Sequence, residues 1–136
     1  MRAVLLSARA RAGTGEVLSA VRAIVSRHAT VVGEFDVNDA IPAALQADRA
    51  VVVGGDGTIM AALRQFIDRG VPVVGINIGR LGFLAEFHTH ELEAHAASIF
   101  GAAPVVRERM VLSVSVRGPD GATRYEGLAV NDFVVT

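Results

Sequence analysis

The chain has 136 residues, 51% of them hydrophobic, which is enough for one compact core but not for two full-sized domains. Its 13 basic residues are all arginine, and 14 acidic residues bring the net charge to −1. The lack of lysine excludes a P-loop lysine, a Schiff base and a lysine general base, and the balanced charge argues against a nucleic-acid surface. The lack of cysteine excludes disulfides, thiolate metal sites and cysteine nucleophiles. No apolar run approaches the roughly 20 residues that span a bilayer, so we expect a cytoplasmic protein without a membrane partner.

The first hundred residues alternate apolar runs typical of strands with amphipathic segments typical of helices. Strands are predicted over 3–7, 30–33, 50–53 and 73–77. Helices are predicted around 17–25, from Thr58 to about Asp68, and over 90–100 with Thr89 as the cap. The segment 36–48 is ambiguous and is predicted to be a turn and a short helix interrupted near Pro42. The alternation predicts an α/β fold with an open, mainly parallel sheet and flanking helices.

The pattern changes after Pro104. Segments 110–116 and 123–130 have the composition of strands, and they are separated by the turn sequence Gly118-Pro119-Asp120-Gly121. Residues 131–136 continue as predicted strand. We therefore expect an α/β domain over 1–106, followed over 107–136 by the beginning of a β-rich domain that is incomplete.

The strongest functional candidate is the segment Gly54-Gly55-Asp56-Gly57-Thr58, between a buried strand and the start of a helix. Open α/β sheets bind ligands at this edge, glycines let the backbone approach a ligand, and amides at a helix start favour phosphate. Thr58 is placed to cap the helix or to bind a phosphate oxygen. A carboxylate repels phosphate, so Asp56 needs a specific role: accepting a proton from a substrate hydroxyl, or holding Mg²⁺ through water. The alternative is a plain turn in which Asp56 caps the helix.

A second cluster, with the sequence NIGRLGFL at 77–84, follows the next predicted strand. Arg80 is a candidate for contact with a phosphate, and Phe83 is a candidate for stacking on a base or a nicotinamide ring. In the alternative interpretation the apolar side chains of this segment, Leu81, Phe83 and Leu84, pack into the core. Both interpretations stay open.

A third element, Asn131-Asp132, follows the apolar residues 128–130. Asparagine both donates and accepts hydrogen bonds, and aspartate accepts two bonds from ribose hydroxyls. The alternative is a turn or a strand end.

The three motifs GGDGT at 54–58, NIGRLGFL at 77–84 and LAVND at 128–132 stand in this order, and the chain resembles the NAD kinases over nearly its whole length. The resemblance implies their N-terminal α/β domain over 1–106 and the opening strands of their C-terminal β domain over 107–136. GGDGT alone is shared with diacylglycerol and sphingosine kinases. The proline- and glycine-rich second motif that is usual in lipid kinases is missing here.

The resemblance implies transfer of a phosphoryl group from ATP or polyphosphate, with Mg²⁺, to the 2′-hydroxyl of NAD to give NADP. Asp56 is then the base that acts on this hydroxyl, and Mg²⁺ is bound mainly by the phosphates. The family pairs Asn with Glu where this chain has Asn131 and Asp132, which implies a shifted or water-mediated contact. The residues assigned to nucleotide binding are Gly54, Gly55, Gly57, Thr58, Asn77, Gly79, Arg80, Phe83, Asn131 and Asp132.

The family also has a glycine- and serine-rich segment that is missing from these 136 residues. We therefore expect a fragment that binds NAD poorly and has little or no kinase activity by itself, and a homo-oligomer at full length. Two alternatives remain: a lipid or sphingoid kinase that shares GGDGT, and a nucleotide-binding module without turnover.

Three further features are not assigned to a site. Gly13 and Gly15 follow the first strand, but the third glycine of a dinucleotide fingerprint is replaced by Leu18. The neighbouring Arg9 and Arg11 are interpreted as solvated, with contact to phosphate as the alternative. The histidines at 88, 90 and 95 form no metal-ligand pattern and are interpreted as surface or capping residues.

Overall fold

A computed structural model describes residues 1–130, and the chain divides into two compact units, Met1–Val106 and Arg107–Thr136. The elements of the first unit are β1 (Arg2–Ser7), α1 (Thr14–Val25), β2 (Thr30–Asp36), β3 (Arg49–Val53), α2 (Asp56–Phe66), a 3-10 turn (Ile67–Arg69), β4 (Val73–Ile76) and α3 (Thr89–Ile99).

The first unit is built on a four-stranded parallel sheet in the order β2-β1-β3-β4. The central strands β1 and β3 are apolar on both faces because both faces are covered. Along β1, Ala3 and Leu5 pack with α1 and α3, whereas Val4 and Leu6 pack with α2 on the other face. Burial of each of the valine and leucine side chains contributes about 1.5–3 kcal/mol. The predicted fold, a mainly parallel sheet with flanking helices, is confirmed.

Two strand predictions need correction. β2 continues past Gly33 to Asp36 because it pairs with β1 along its whole length, up to the pair Ser7 and Asp36. This pairing overrides the low strand propensity of glycine and glutamate. β4 ends at Ile76, so Asn77 belongs to the following loop.

The predicted short helix within 36–48 is wrong. Beyond β2 the segment forms turns and extended chain. Its carbonyl oxygens are taken by a side chain from elsewhere: the Arg69 guanidinium donates hydrogen bonds to Ile41, Pro42 and Leu45 at 3.0–3.3 Å. Within the segment itself, the Leu45 N–H donates to the Pro42 carbonyl at 3.0 Å, which closes a single turn and not a helix.

The start of α3 also differs from the prediction. The helix begins at Thr89, and its cap is His88 rather than Thr89. The backbone N–H of His88 donates to the Glu91 carboxylate at 2.7 Å, which is half of a capping box. The interpretation of this histidine as a capping residue agrees with the structure.

The second unit contains an antiparallel pair, β5 (Val111–Arg117) and β6 (Thr123–Val130). The turn between them is closed by a hydrogen bond from the Gly118 N–H to the Ala122 carbonyl at 2.8 Å. Gly121 has a φ of +78°, a conformation that favours glycine. The small antiparallel sheet that follows the parallel one agrees with the predicted β-rich segment.

None of the helices within residues 1–130 has the length and apolar character needed to cross a bilayer.

Candidate functional site

The candidate site lies at the carboxyl edge of the parallel sheet. From β1 the chain passes to β2 on one side and then to β3 on the other, so the strand order reverses between β1 and β3. In doubly wound sheets, ligands bind at this switch point. The loops that follow β1, β3 and β4 all emerge at this edge. The loop after β3 carries GGDGT, and the loop after β4 carries NIGRLGFL.

The glycine turn after β3 leads directly into α2. The N-cap of α2 is Gly55, and Thr58 is the third helical residue, so the prediction that Thr58 caps the helix is wrong. The Thr58 side chain instead packs over Gly54, where an added β-carbon would lie 2.6 Å from its hydroxyl oxygen. The N–H groups of the first turn have no acceptor within the helix. The turn therefore presents backbone donors at the switch point.

Gly57 faces open space. It is exposed, and nothing lies within 4 Å of the position that its β-carbon would occupy. The packing of the described chain therefore does not require glycine here, whereas close approach of a ligand to the backbone does.

Asp56, the first residue of α2, reaches across to the loop after β4. Its carboxylate oxygens accept hydrogen bonds from the backbone N–H groups of Phe83 at 2.9 Å and Leu84 at 3.0 Å. These bonds, and a weaker one from Ala85, lower the pKa of Asp56 below its usual value although burial opposes them. Asp56 makes no capping hydrogen bond to its own helix, so the helix-cap alternative is wrong.

This contact explains the second glycine of the NIGRLGFL motif. A β-carbon on Gly82 would lie 2.6 Å from Cγ of Asp56, which is closer than side chains tolerate. The two motifs are therefore fitted to each other through Asp56, a relationship that sequence reasoning missed. The signal was the glycine directly before Phe83.

The loop after β4 is held at its base by side-chain and backbone hydrogen bonds. The Asn77 amide accepts from the Gly79 N–H at 2.9 Å and donates to the Arg80 carbonyl. The Asn77 N–H donates to the Phe87 carbonyl at 2.8 Å, and the Phe87 N–H donates to Gly75 at 3.3 Å. Asn77 itself is only 4% exposed. Its amide shapes the loop from inside.

The tip of the same loop is exposed. Phe83 is 93% exposed and Leu81 57%, and Arg80 is exposed as well. The alternative in which these apolar side chains pack into the core is wrong for Leu81 and Phe83, and it holds only for Leu84. The exposed aromatic ring thus belongs to one of the two residues whose N–H groups contact Asp56.

The structure brings 54–58 and 77–84 together at one edge, whereas Asn131 and Asp132 lie outside the described residues. Arg11, which was interpreted as solvated, lies at the same edge beside Gly55 and Gly79. Among residues 1–130, no three histidine or acidic side chains are grouped so that they could hold a metal ion.

The fold and the position of the glycine-rich turns place the chain among the doubly wound α/β proteins that bind ligands at a switch point. A family model described as the ATP-NAD kinase N-terminal domain matches residues 12–102. The chain therefore belongs to the NAD kinase family, and the resemblance found in the sequence is confirmed.

Individual relatives of the chain are also named NAD kinases. An NAD kinase of Pseudomonas fluorescens (strain SBW25) is 34% identical over 140 residues, covering 92% of this chain and 47% of the relative. One from Nitratidesulfovibrio vulgaris is 43% identical over 86 residues, covering 63% of this chain and 30% of the relative. The chain thus spans less than half the length of these curated relatives.

Solved structures give the same fold. An NAD kinase from Archaeoglobus fulgidus, solved in complex with ATP, matches with a TM-score of 0.58 and 26% identity over 89% of this chain and 45% of that one. A yeast NADH kinase, solved with NADH, matches with a TM-score of 0.64 and 16% identity over 96% of this chain and 46% of that one. The second match supports the fold alone.

Proposed function

We propose that the protein to which this chain belongs is an NAD kinase. It transfers the terminal phosphoryl group of ATP or polyphosphate to the 2′-hydroxyl of the adenosine ribose of NAD, which gives NADP. The family membership supports this reaction, and the ATP complex of the archaeal relative supports ATP as a donor.

The observation that carries the proposal is the placement of the Asp56 carboxylate. It lies at the start of α2, between a glycine turn whose first N–H groups have no acceptor within the helix and a loop with an exposed aromatic ring. Its lowered pKa keeps it ionised at neutral pH, as a proton acceptor must be. An ionised carboxylate accepts about four hydrogen bonds, so the bonds from Phe83 and Leu84 leave room for a substrate hydroxyl.

In the proposed step, the 2′-oxygen forms a bond to the terminal phosphorus as the bond from that phosphorus to the leaving diphosphate oxygen breaks. The hydroxyl proton passes to Asp56. A carboxylate with a lowered pKa is a weak base, so its main contribution is to orient the hydroxyl towards the phosphorus. This suits a loose transition state, in which little early deprotonation is needed.

The other residues assigned to the site are proposed to contact the nucleotides. Gly54, Gly55 and Gly57 line the path of the phosphates, and the first-turn amides and the hydroxyl of Thr58 offer donors to them. In the facing loop, Phe83 stacks on a ring of the dinucleotide, and Arg80 binds phosphate. Asn77 and Gly79 keep that loop in shape. Asn131 and Asp132, which lie outside the described residues, are assigned to the ribose hydroxyls from the sequence alone.

We propose that Mg²⁺ would enter with the donor nucleotide, where it would offset the charge of the phosphates. We further propose that the protein is cytoplasmic and that it forms a homo-oligomer at full length.

The test is NADP formation by the full-length gene product from NAD and ATP, with NADH and diacylglycerol as competing acceptors. We expect NADP from NAD, no lipid product, and a loss of about 10²–10⁴-fold in turnover for Asp56→Asn with retained NAD binding. Asp39→Asn is the matched control, because Asp39 is exposed in the turn after β2 and loses the same charge. Unchanged turnover of Asp56→Asn would refute the base assignment, and phosphorylation of diacylglycerol instead of NAD would refute the proposed reaction.

A further inference from the structure

Arg11 occupies a position that the proposed reaction does not yet use. A β-carbon on Gly55 would lie 3.1 Å from its Nη1, and one on Gly79 would lie 4.0 Å from its Nη2. The guanidinium therefore lies between the glycine turn after β3 and the loop after β4. The loop after β1 thus brings the Arg11 cation to the two loops that carry GGDGT and NIGRLGFL.

The backbone of the loop after β1 fixes this placement. The Arg11 N–H donates to the Ala8 carbonyl at 3.0 Å, and the Arg11 carbonyl accepts from the Thr14 N–H at 3.3 Å. Two consecutive turns therefore lead from β1 into α1, with Arg11 where they meet. Gly13 has a φ of +81°, which lets the chain enter α1 at this point.

The neighbouring Arg9 shows the contrast. Its guanidinium donates to the Glu34 carbonyl at 3.1 Å, and its N–H donates to the Asp36 carboxylate at 2.8 Å. Arg9 is thus bound to the end of β2, which lies on the opposite side of β1 from β3. Arg11 makes no side-chain hydrogen bond and no ion pair within the described part of the chain, so its charge is not neutralised there.

The surroundings of Arg11 favour an anion. The first turns of α1 and α2 both begin next to it, and each adds partial positive charge. The Asp56 carboxylate is engaged with the backbone of Phe83 and Leu84. The Ser7 and Thr14 hydroxyls, at the end of β1 and the start of α1, are buried without a hydrogen-bond partner among residues 1–130.

We propose that Arg11 binds the phosphate chain of a nucleotide at the switch point, through its planar pair of N–H donors. Guanidinium matches two phosphate oxygens at once and is not deprotonated, which suits a chain without lysine. This inference rests on the proposed function for the identity of the nucleotide. The phosphate chain can be that of the ATP donor or the diphosphate of NAD, which share this chemistry.

The experiment measures the binding of inorganic tripolyphosphate to the full-length gene product by calorimetry, without NAD. Arg11→Gln is compared with Arg64→Gln, a matched control that loses the same charge from an exposed position in the last turn of α2. We expect Arg11→Gln to weaken the binding at least about tenfold and Arg64→Gln to change it by less than about twofold. Arg11→Lys, which keeps the charge but not the planar pair of donors, is expected to lie between them.

The KM values then identify the source of the phosphates. A rise confined to the KM for ATP assigns Arg11 to the donor, and a rise confined to the KM for NAD assigns it to the dinucleotide. The proposal is overturned if wild type does not bind tripolyphosphate, if Arg11→Gln binds it as tightly as Arg64→Gln does, or if Arg11→Gln unfolds, since Arg11 would then be structural. Failure of the proposed function gives a different result: no NADP is formed, while tripolyphosphate binding still depends on Arg11.

Discussion

Asp56 covers the α-carbon of Gly82. Its Cγ would lie 2.6 Å from a β-carbon on that glycine, and its oxygens accept hydrogen bonds from the N–H groups of Phe83 and Leu84. One carboxylate thus holds the loop after β4 and is also the group proposed to meet the substrate. The shape of the loop and the ionisation of the acid are therefore linked.

Gly82→Ala tests this link. The added methyl group would push the carboxylate away from the N–H groups of Phe83 and Leu84. We expect the pKa of Asp56 to rise towards its usual value, because these bonds are its main cause of lowering. Carbon-detected NMR of the Asp56 carboxyl during a pH titration measures this. Gly15→Ala is the control, since it meets nothing within 4 Å, and equal pKa values in both variants would contradict the link.

Gly57→Ala separates stability from function. Gly57 lies in the first turn of α2 with open space beside it, so alanine should leave the free energy of unfolding unchanged or raise it by up to about 1 kcal/mol. The same methyl group would stand where the phosphates are proposed to approach the backbone. We expect weaker binding of ATP, by about tenfold, in calorimetry. A variant that is both stable and fully competent in binding would show that phosphates do not pass this residue.

The pH dependence of stability follows from the lowered pKa of Asp56. A carboxylate with a lower pKa in the folded state adds stability that is present above its unfolded pKa and is lost as the pH falls through the folded pKa. Denaturant unfolding between neutral and acidic pH should therefore show a smaller acid-induced loss for Asp56→Asn than for wild type. Asp39→Asn should lose as much stability on acidification as wild type does, because the Asp39 carboxylate makes no such bonds among the described residues. An equal acid-induced loss of stability in all three proteins would show that Asp56 does not contribute to the pH dependence.

Arg49 should matter for stability but not for the site. Its buried guanidinium donates to the carbonyls of Asp48, Ile99 and Gly101 at 2.7–3.2 Å, and so ties the start of β3 to the end of α3. Arg49→Met removes these donors and leaves three part-buried carbonyls without these hydrogen bonds, at a cost of about 2–4 kcal/mol in the free energy of unfolding. Because the start of β3 is remote from its carboxyl end, the affinity for tripolyphosphate should not change. Arg64→Met is the exposed control.

Much of the sheet and the position of the site follow from the sequence. The runs in β1 and β3 are apolar without alternation, as covered strands must be, and the glycine turn at 54–55 lies directly after such a run. The end of β2 was missed because its last residues form a strand only through pairing with β1. Local propensity contains no information about such a partner.

The arrangement within the site was harder to predict. Nothing in the local sequence shows that Asp56 bonds to Phe83 and Leu84, because that contact depends on how two loops return to one edge. The same holds for the two arginines after β1. Arg9 and Arg11 have the same chemistry, and only the turns around Ala8 and Thr14 direct one to β2 and the other to the glycine loops.

The base of the loop after β4 has a consequence for diversification. Asn77 and Phe87 fasten both feet of this loop to the edge of the sheet, while its tip with Leu81 and Phe83 stands outside the core. The residues at the tip of such a loop can be replaced while the strands of the sheet keep their register. Substitutions of the exposed tip residues Leu81 and Phe83 are therefore expected to leave the pairing of the strands unchanged.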